Sequence, residues 1–190
     1  QTLEHMRRIG APGLESQAAA LVATAVLLTR QAREKTAGNR PVAIAGSISP
    51  LNHCFRPDLS PPPEEALREH AESAKLLANA GVDLILLETM NKIGEAEAAL
   101  QIAKQTGLPV WVSFALAPGG KFILSGEPIA DGARALESLG CDALLLNCAP
   151  PHDIPIGLEE LGKTCNVPFG AYAHNGGDDP PSGKFGVDPQ

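Results

Sequence analysis

Ser47, Glu88, Asn147 and Cys148 each fall at or beside the end of a short apolar run. In parallel α/β proteins, ligands bind at the carboxyl ends of the strands, so these are the first candidates for chemistry. Glu88 closes the run Asp83-Leu-Ile-Leu-Leu-Glu-Thr89. An acid there either caps a helix or joins a salt bridge, or it accepts charge-assisted hydrogen bonds from a substrate ammonium group. Cys148 closes Asp142-Ala-Leu-Leu-Leu-Asn-Cys148. A cysteine after three leucines reads as a small buried hydrophobe; at this edge it also reads as a metal ligand or nucleophile. His174 is a further strand-end candidate, as a base, a ligand or a polar hydrogen-bonding group.

The other cysteines divide by position. Cys141 precedes the run that Cys148 ends, which separates the two by roughly 20 Å at about 3.3 Å per extended residue. Cys165 sits at a helix end on that same far side. Cys54 lies in the loop after the first run, on the side of Cys148, and is either structural, exposed or a second ligand. No CxxC pair occurs, and wide spacing argues for reduced thiols rather than a disulfide framework. His5, His53, His70 and His152 show no ligand spacing, and Gly119-Gly120 and Gly176-Gly177 form no phosphate cradle.

The elements that must position these residues alternate. Apolar runs at Pro41–Gly46, Asp83–Thr89, Pro109–Leu116, Asp142–Cys148 and Pro168–Ala173 predict strands buried on both faces of a parallel sheet. Helical patterns span Leu14–Lys35, Pro63–Ala80, Gly94–Gln105, Ile129–Leu139 and Ile154–Cys165, several ended by glycine. The order βαβαβ predicts a parallel α/β sheet. Strand starts recur at intervals compatible with a (β/α)8 barrel, where a unit takes roughly 31 residues. A doubly wound sheet has similar spacing, but no GxGxxG follows the first strand. The stretch Gly176–Gln190 reads as loop.

Composition excludes other classes. Hydrophobic residues make up 44% and charged residues 19%, as in a soluble globular chain. A net charge of −7 without a basic patch, and 4% aromatics, argue against a nucleic-acid partner. No apolar run reaches the roughly 20 residues of a membrane span, and no signal-peptide pattern is present. A cytoplasmic protein acting on small molecules is the expectation.

Six segments in order resemble the homocysteine S-methyltransferase family. They are Ala45-Gly-Ser-Ile-Ser-Pro50, Gly81-Val-Asp-Leu-Ile-Leu-Leu-Glu-Thr89, Val110-Trp-Val-Ser-Phe114, Leu124-Ser-Gly126, Leu146-Asn-Cys-Ala-Pro150 and Gly170-Ala-Tyr-Ala173. The resemblance implies a methyltransferase on a (β/α)8 TIM barrel, with strands three to seven present here. Residues 1–190 are then one incomplete homocysteine-binding barrel domain. It implies a Zn2+ ion held by three cysteines, one of them matching Cys148. The other two form a Gly-Gly-Cys-Cys motif that this chain lacks, as it lacks the family's Gly-rich first strand. It implies substrate contacts from Glu88 to the homocysteine amine, and from Ser47 and Asn147. Tyr172-Ala173-His174 departs from the Tyr-Pro-Asn of many members.

The substrates implied are homocysteine and a methyl donor: betaine, S-methylmethionine, S-adenosylmethionine or methylfolate. A rival reading is an inactive barrel fragment without a complete zinc site, whose open strand edges invite association. An aldolase-like barrel would want a strand-end lysine, and none of the five runs ends in one.

Overall fold

The structure, a computed structural model, describes residues 15–174. The expected loop Gly176–Gln190, the opening of the first helix at Leu14, and His5 lie outside the described residues. A short 3-10 turn, Glu15–Gln17, leads into α1 (Ala18–Thr36). There follow β1 (Ala45–Ile48), α2 (Pro63–Ala80), β2 (Leu84–Met90), α3 (Ile93–Ala103), β3 (Val110–Ala115), α4 (Ile129–Ser138), β4 (Ala143–Asn147), α5 (Ile154–Thr164) and β5 (Phe169–Tyr172).

All five strands are parallel and lie side by side in chain order, β1-β2-β3-β4-β5. A doubly wound sheet reverses its strand order at a switch point; this one never does, so it runs as the arc of a barrel. Its curvature is visible in one hydrogen bond. Tyr172 on β5 donates to Glu88 on β2 at 2.9 Å. Three strand spacings of about 4.8 Å separate them along a flat sheet, so the sheet curls until these side chains meet. The partial (β/α)8 architecture expected from the sequence is the one observed.

Alternation along the strands assigns two faces. Ile85, Leu87, Val110, Val112, Phe114, Leu144 and Leu146 are fully buried on the convex face under the helices. Small residues let helices sit close there. A Cβ on Gly132 of α4 would lie 2.9 Å from the Phe114 ring, and one on Gly157 of α5 would lie 2.7 Å from Leu146. The concave face carries Ser47, Glu88, Ser113 and Asn147 instead.

One device repeats at the amino ends of the strands. Gly81 and Gly140 follow α2 and α4 with φ near 80° (81° and 80°), a left-handed conformation that glycine adopts without strain. Two residues later, Asp83 accepts from Ile44 N at 2.7 Å and Asp142 from Val110 N at 2.7 Å. Each aspartate thereby satisfies a backbone N–H at the start of the neighbouring strand, Ile44 just ahead of β1 and Val110 as the first residue of β3. This also corrects the first strand, expected over Pro41–Gly46. Pairing begins only at Ala45, because the Asp83 carboxylate holds Ile44 N and Val42 stays 46% exposed. The third helix likewise ends at Ala103, its last turn tightening into the 3-10 turn Lys104–Thr106.

Candidate functional site

The site lies where the concave face meets the carboxyl ends of β1 to β5, and a bulge in β2 shapes it. Leu87 pairs with Val112 and Met90 with Phe114, so Glu88 and Thr89 together oppose the single residue Ser113. An extra residue turns two consecutive side chains to one face. Glu88 and Thr89 both point inward, and Met90 returns to the buried convex face at 0% exposure. Thr89 takes φ +59° to do so, an unfavourable conformation for a β-branched residue. Cys148 has φ +50°. These two are the only non-glycine residues with positive φ among the described residues, and they face each other, Thr89 Oγ1 3.5 Å from Cys148 Sγ. Backbone strain of this kind concentrates at functional sites.

Two hydrogen-bonded clusters result. In the first, Glu88 accepts from Ser47 Oγ at 2.7 Å and from Tyr172 OH at 2.9 Å. Burial, and then the neighbouring Glu88, push the Tyr172 phenol well above its ordinary range despite an opposing contact from Ser113. Tyr172 therefore stays protonated and remains a donor. In the second, Ser113 donates to Asn147 Oδ1 at 2.7 Å, which fixes the amide orientation. Asn147 Nδ2 then donates to Thr89 Oγ1 at 2.8 Å and lies 3.3 Å from Cys148 Sγ. Since Thr89 Oγ1 accepts there, its own hydrogen is available to the Cys148 sulfur. Ser113 and Asn147 are 0% exposed, so water does not compete for these bonds.

The expected residues are thus assembled in pairs: Ser47 with Glu88, Asn147 with Cys148. Glu88 forms no salt bridge among the described residues; its partners are the hydroxyls of Ser47 and Tyr172. Asn147 is buried, and its amide serves Ser113, Thr89 and the Cys148 sulfur. The reading from sequence assigned no role to Thr89, Ser113 or Tyr172, although each sat in a quoted segment. The separation of the cysteines is as expected. Cys141 and Cys165 lie at the amino ends of the strands, where burial first of all pushes their thiols up to about 12 and about 11. Cys54 lies on the side of Cys148: burial, and then Cys148, raise its thiol. His174, past β5, is tied by its backbone N to Ala149 O at 3.3 Å.

Beside the mouth, Glu95 at the start of α3 is 3% exposed. It accepts from Leu51 N and Ser60 Oγ, both at 2.8 Å, and lies 3.3 Å from His70 Nε2. Its carboxyl lies below the usual range: burial alone would raise it, but His70, Leu51 N and the Ser60 hydroxyl outweigh burial. A depressed acid contributes stability above its unfolded pKa of about 4.3, and loses it as pH falls through the lower folded value. The protection factors of residues 51–60, taken relative to the intrinsic exchange rate at each pH, should therefore be unchanged from about pH 7 to 5 and fall below about pH 4. Protection that declines steadily from neutral pH would contradict this.

Among the described residues, no group of three or more His, Cys, Asp and Glu side chains is placed to hold a metal ion. No described helix is long and apolar enough to cross a membrane.

Comparison with known proteins finds relatives of this fold. A family model described as homocysteine S-methyltransferase matches residues 2–190. The chain is 32% identical over 177 residues to homocysteine S-methyltransferase YbgG of Bacillus subtilis, an alignment covering 85% of the chain and 56% of that protein. It is 28% identical over 176 residues to the Escherichia coli homocysteine S-methyltransferase, covering 85% of the chain and 56% of that protein. Among solved structures, the metallated form of the homocysteine methyltransferase MmuM from Escherichia coli superposes with a TM-score of 0.77 at 26% identity, covering 85% of the chain and 60% of that structure. The chain spans a little over half the length of these relatives.

Proposed function

Because the chain belongs to the homocysteine S-methyltransferase family, we propose that its strand-end site binds homocysteine for methyl transfer to the substrate sulfur, giving methionine. The observation that carries this reading is the convergence of Ser47 from β1 and Tyr172 from β5 onto the Glu88 carboxylate of β2, beside the strained Thr89–Cys148 pair. A carboxylate offers about four lone-pair positions. Two are taken by Ser47 and Tyr172, which leaves acceptors for an ammonium group and fixes where they point.

Cys148 takes the place of one thiolate ligand of a zinc ion. The donor set supports that role: the amide of Asn147 and the hydroxyl of Thr89 both approach the sulfur, as hydrogen-bond donors orient a ligating atom. The described residues supply this one ligand and not a complete set. The remaining thiolates would come from the cysteine pair that the family resemblance implies. A zinc ion held by Cys148 and two further thiolates would supply Lewis acidity that lowers the pKa of a thiol bound beside it.

The chain's own residues then divide the work. Glu88 anchors the amino group, Ser47 and Tyr172 hold Glu88 in place, and Asn147 acts through Cys148 by holding its sulfur.

In the full-length protein, Glu88→Ala should weaken homocysteine binding by about 1.5–3 kcal/mol, the worth of a hydrogen bond to a charged group. Glu88→Gln keeps the shape and should lose less. Titration calorimetry reads both; an unchanged affinity in Glu88→Ala would remove this residue from the site.

A further inference from the structure

The loop after β1 is held by two residues, Asn91 in the connection after β2 and Glu95 at the start of α3. Asn91, 2% exposed, donates from Nδ2 to the backbone carbonyls of His53 at 2.9 Å and Cys54 at 3.0 Å. Glu95 holds Leu51 N with one carboxylate oxygen and the Ser60 hydroxyl with the other. The two residues thus fix both ends and the tip of one segment, and both are buried polar groups with no other task in the proposed reaction. Asn91 follows Thr89 by two positions, so the tip is fastened to the strand end that touches Cys148. The thiol of Cys54, at that tip, feels the charges of both Cys148 and Glu88.

We propose that Asn91 and Glu95 are positioning residues that fix segment 51–60 as a preformed wall of the amino-acid site, with Cys54 at its tip. The proposal rests on the reading of the strand-end site as the homocysteine site. The segment is then part of the binding surface before substrate arrives, rather than a lid that closes on it. Preformed walls raise affinity by sparing the cost of ordering a loop on binding.

The test uses the full-length protein and iodoacetamide, with alkylation of each cysteine followed by mass spectrometry. Cys54 should react slowly in the native protein, and L-homocysteine should slow it further. Asn91→Asp keeps the shape but removes both N–H donors and sets a negative charge against two carbonyls. It should speed Cys54 alkylation about tenfold, as the loss of two hydrogen bonds predicts, while the buried Cys141 remains unreactive and so reports an intact core. Glu95→Gln retains an acceptor for Leu51 N and should give a smaller increase. In both variants the homocysteine KM should rise with kcat little changed.

Cys54 reactivity unchanged in both variants would overturn the proposal, as would a failure of homocysteine to protect Cys54 in a protein that binds it. A loosened Cys54 with an unchanged KM would leave the anchoring in place but overturn its role as a wall of the site. Failure of the native protein to bind homocysteine at all would count against the proposed function, independently of the alkylation rates.

Discussion

Replacing Cys148 with serine in the full-length protein is expected to abolish bound zinc and methyl transfer together. Serine fills nearly the same volume and can still accept from Asn147 Nδ2 and Thr89 Oγ1, which approach the sulfur at 3.3 Å and 3.5 Å. The fold should therefore survive. What changes is the donor: a serine hydroxyl stays protonated at neutral pH and is a poor ligand for a metal that selects thiolates. Three-thiolate sites have no ligand to spare, so the loss is expected to be near complete rather than graded. Metal analysis on the purified variant and a methionine-formation assay decide the matter. Stoichiometric zinc in Cys148→Ser would show that this cysteine is not a ligand.

Phe114→Ala is expected to lower stability by about 3–5 kcal/mol, the usual range for truncating a buried aromatic side chain. Phe114 is 0% exposed on β3 and packs under α4, where Gly132 leaves room for its ring. The absence of a Cβ at Gly132 means that α4 has little of its own to fill the hole, so the cavity should persist. Ser113 lies next to Phe114 but on the opposite face, where it donates to Asn147. The variant should thus unfold at a lower denaturant concentration while its folded fraction keeps the hydrogen-bonded site. A shift below about 1 kcal/mol would mean that α4 collapses onto β3, contrary to the close packing described.

Sequence by itself determined the elements and their class. Continuous apolar runs such as Leu84–Leu87 and Ala143–Leu146 can be satisfied only where both faces of a strand are covered, and the intervening helical patterns with their terminal glycines supply that cover. It also placed Glu88, Asn147 and Cys148 at the carboxyl edge, since that follows from counting residues along a strand. The family was legible too, in six segments whose order no single one of them would establish.

What the tertiary structure decided is which of these residues meet. Strict alternation would send Thr89 to the convex face opposite Glu88; the bulge in β2 sends both inward. A threonine at φ +59° has no signature in the sequence, because its side chain disfavours that conformation and only surrounding contacts hold it there. Tyr172 lies 84 positions from Glu88 in the chain, and their hydrogen bond depends on the curl of the whole sheet. The anchoring of residues 51–60 by Asn91 and Glu95 is equally non-local, since it requires two successive connections to lie side by side. Local pattern fixes what each segment is, because burial and backbone bonding are satisfied segment by segment. Curvature and irregular pairing arise only when the segments compete for the same space, and there the site is formed.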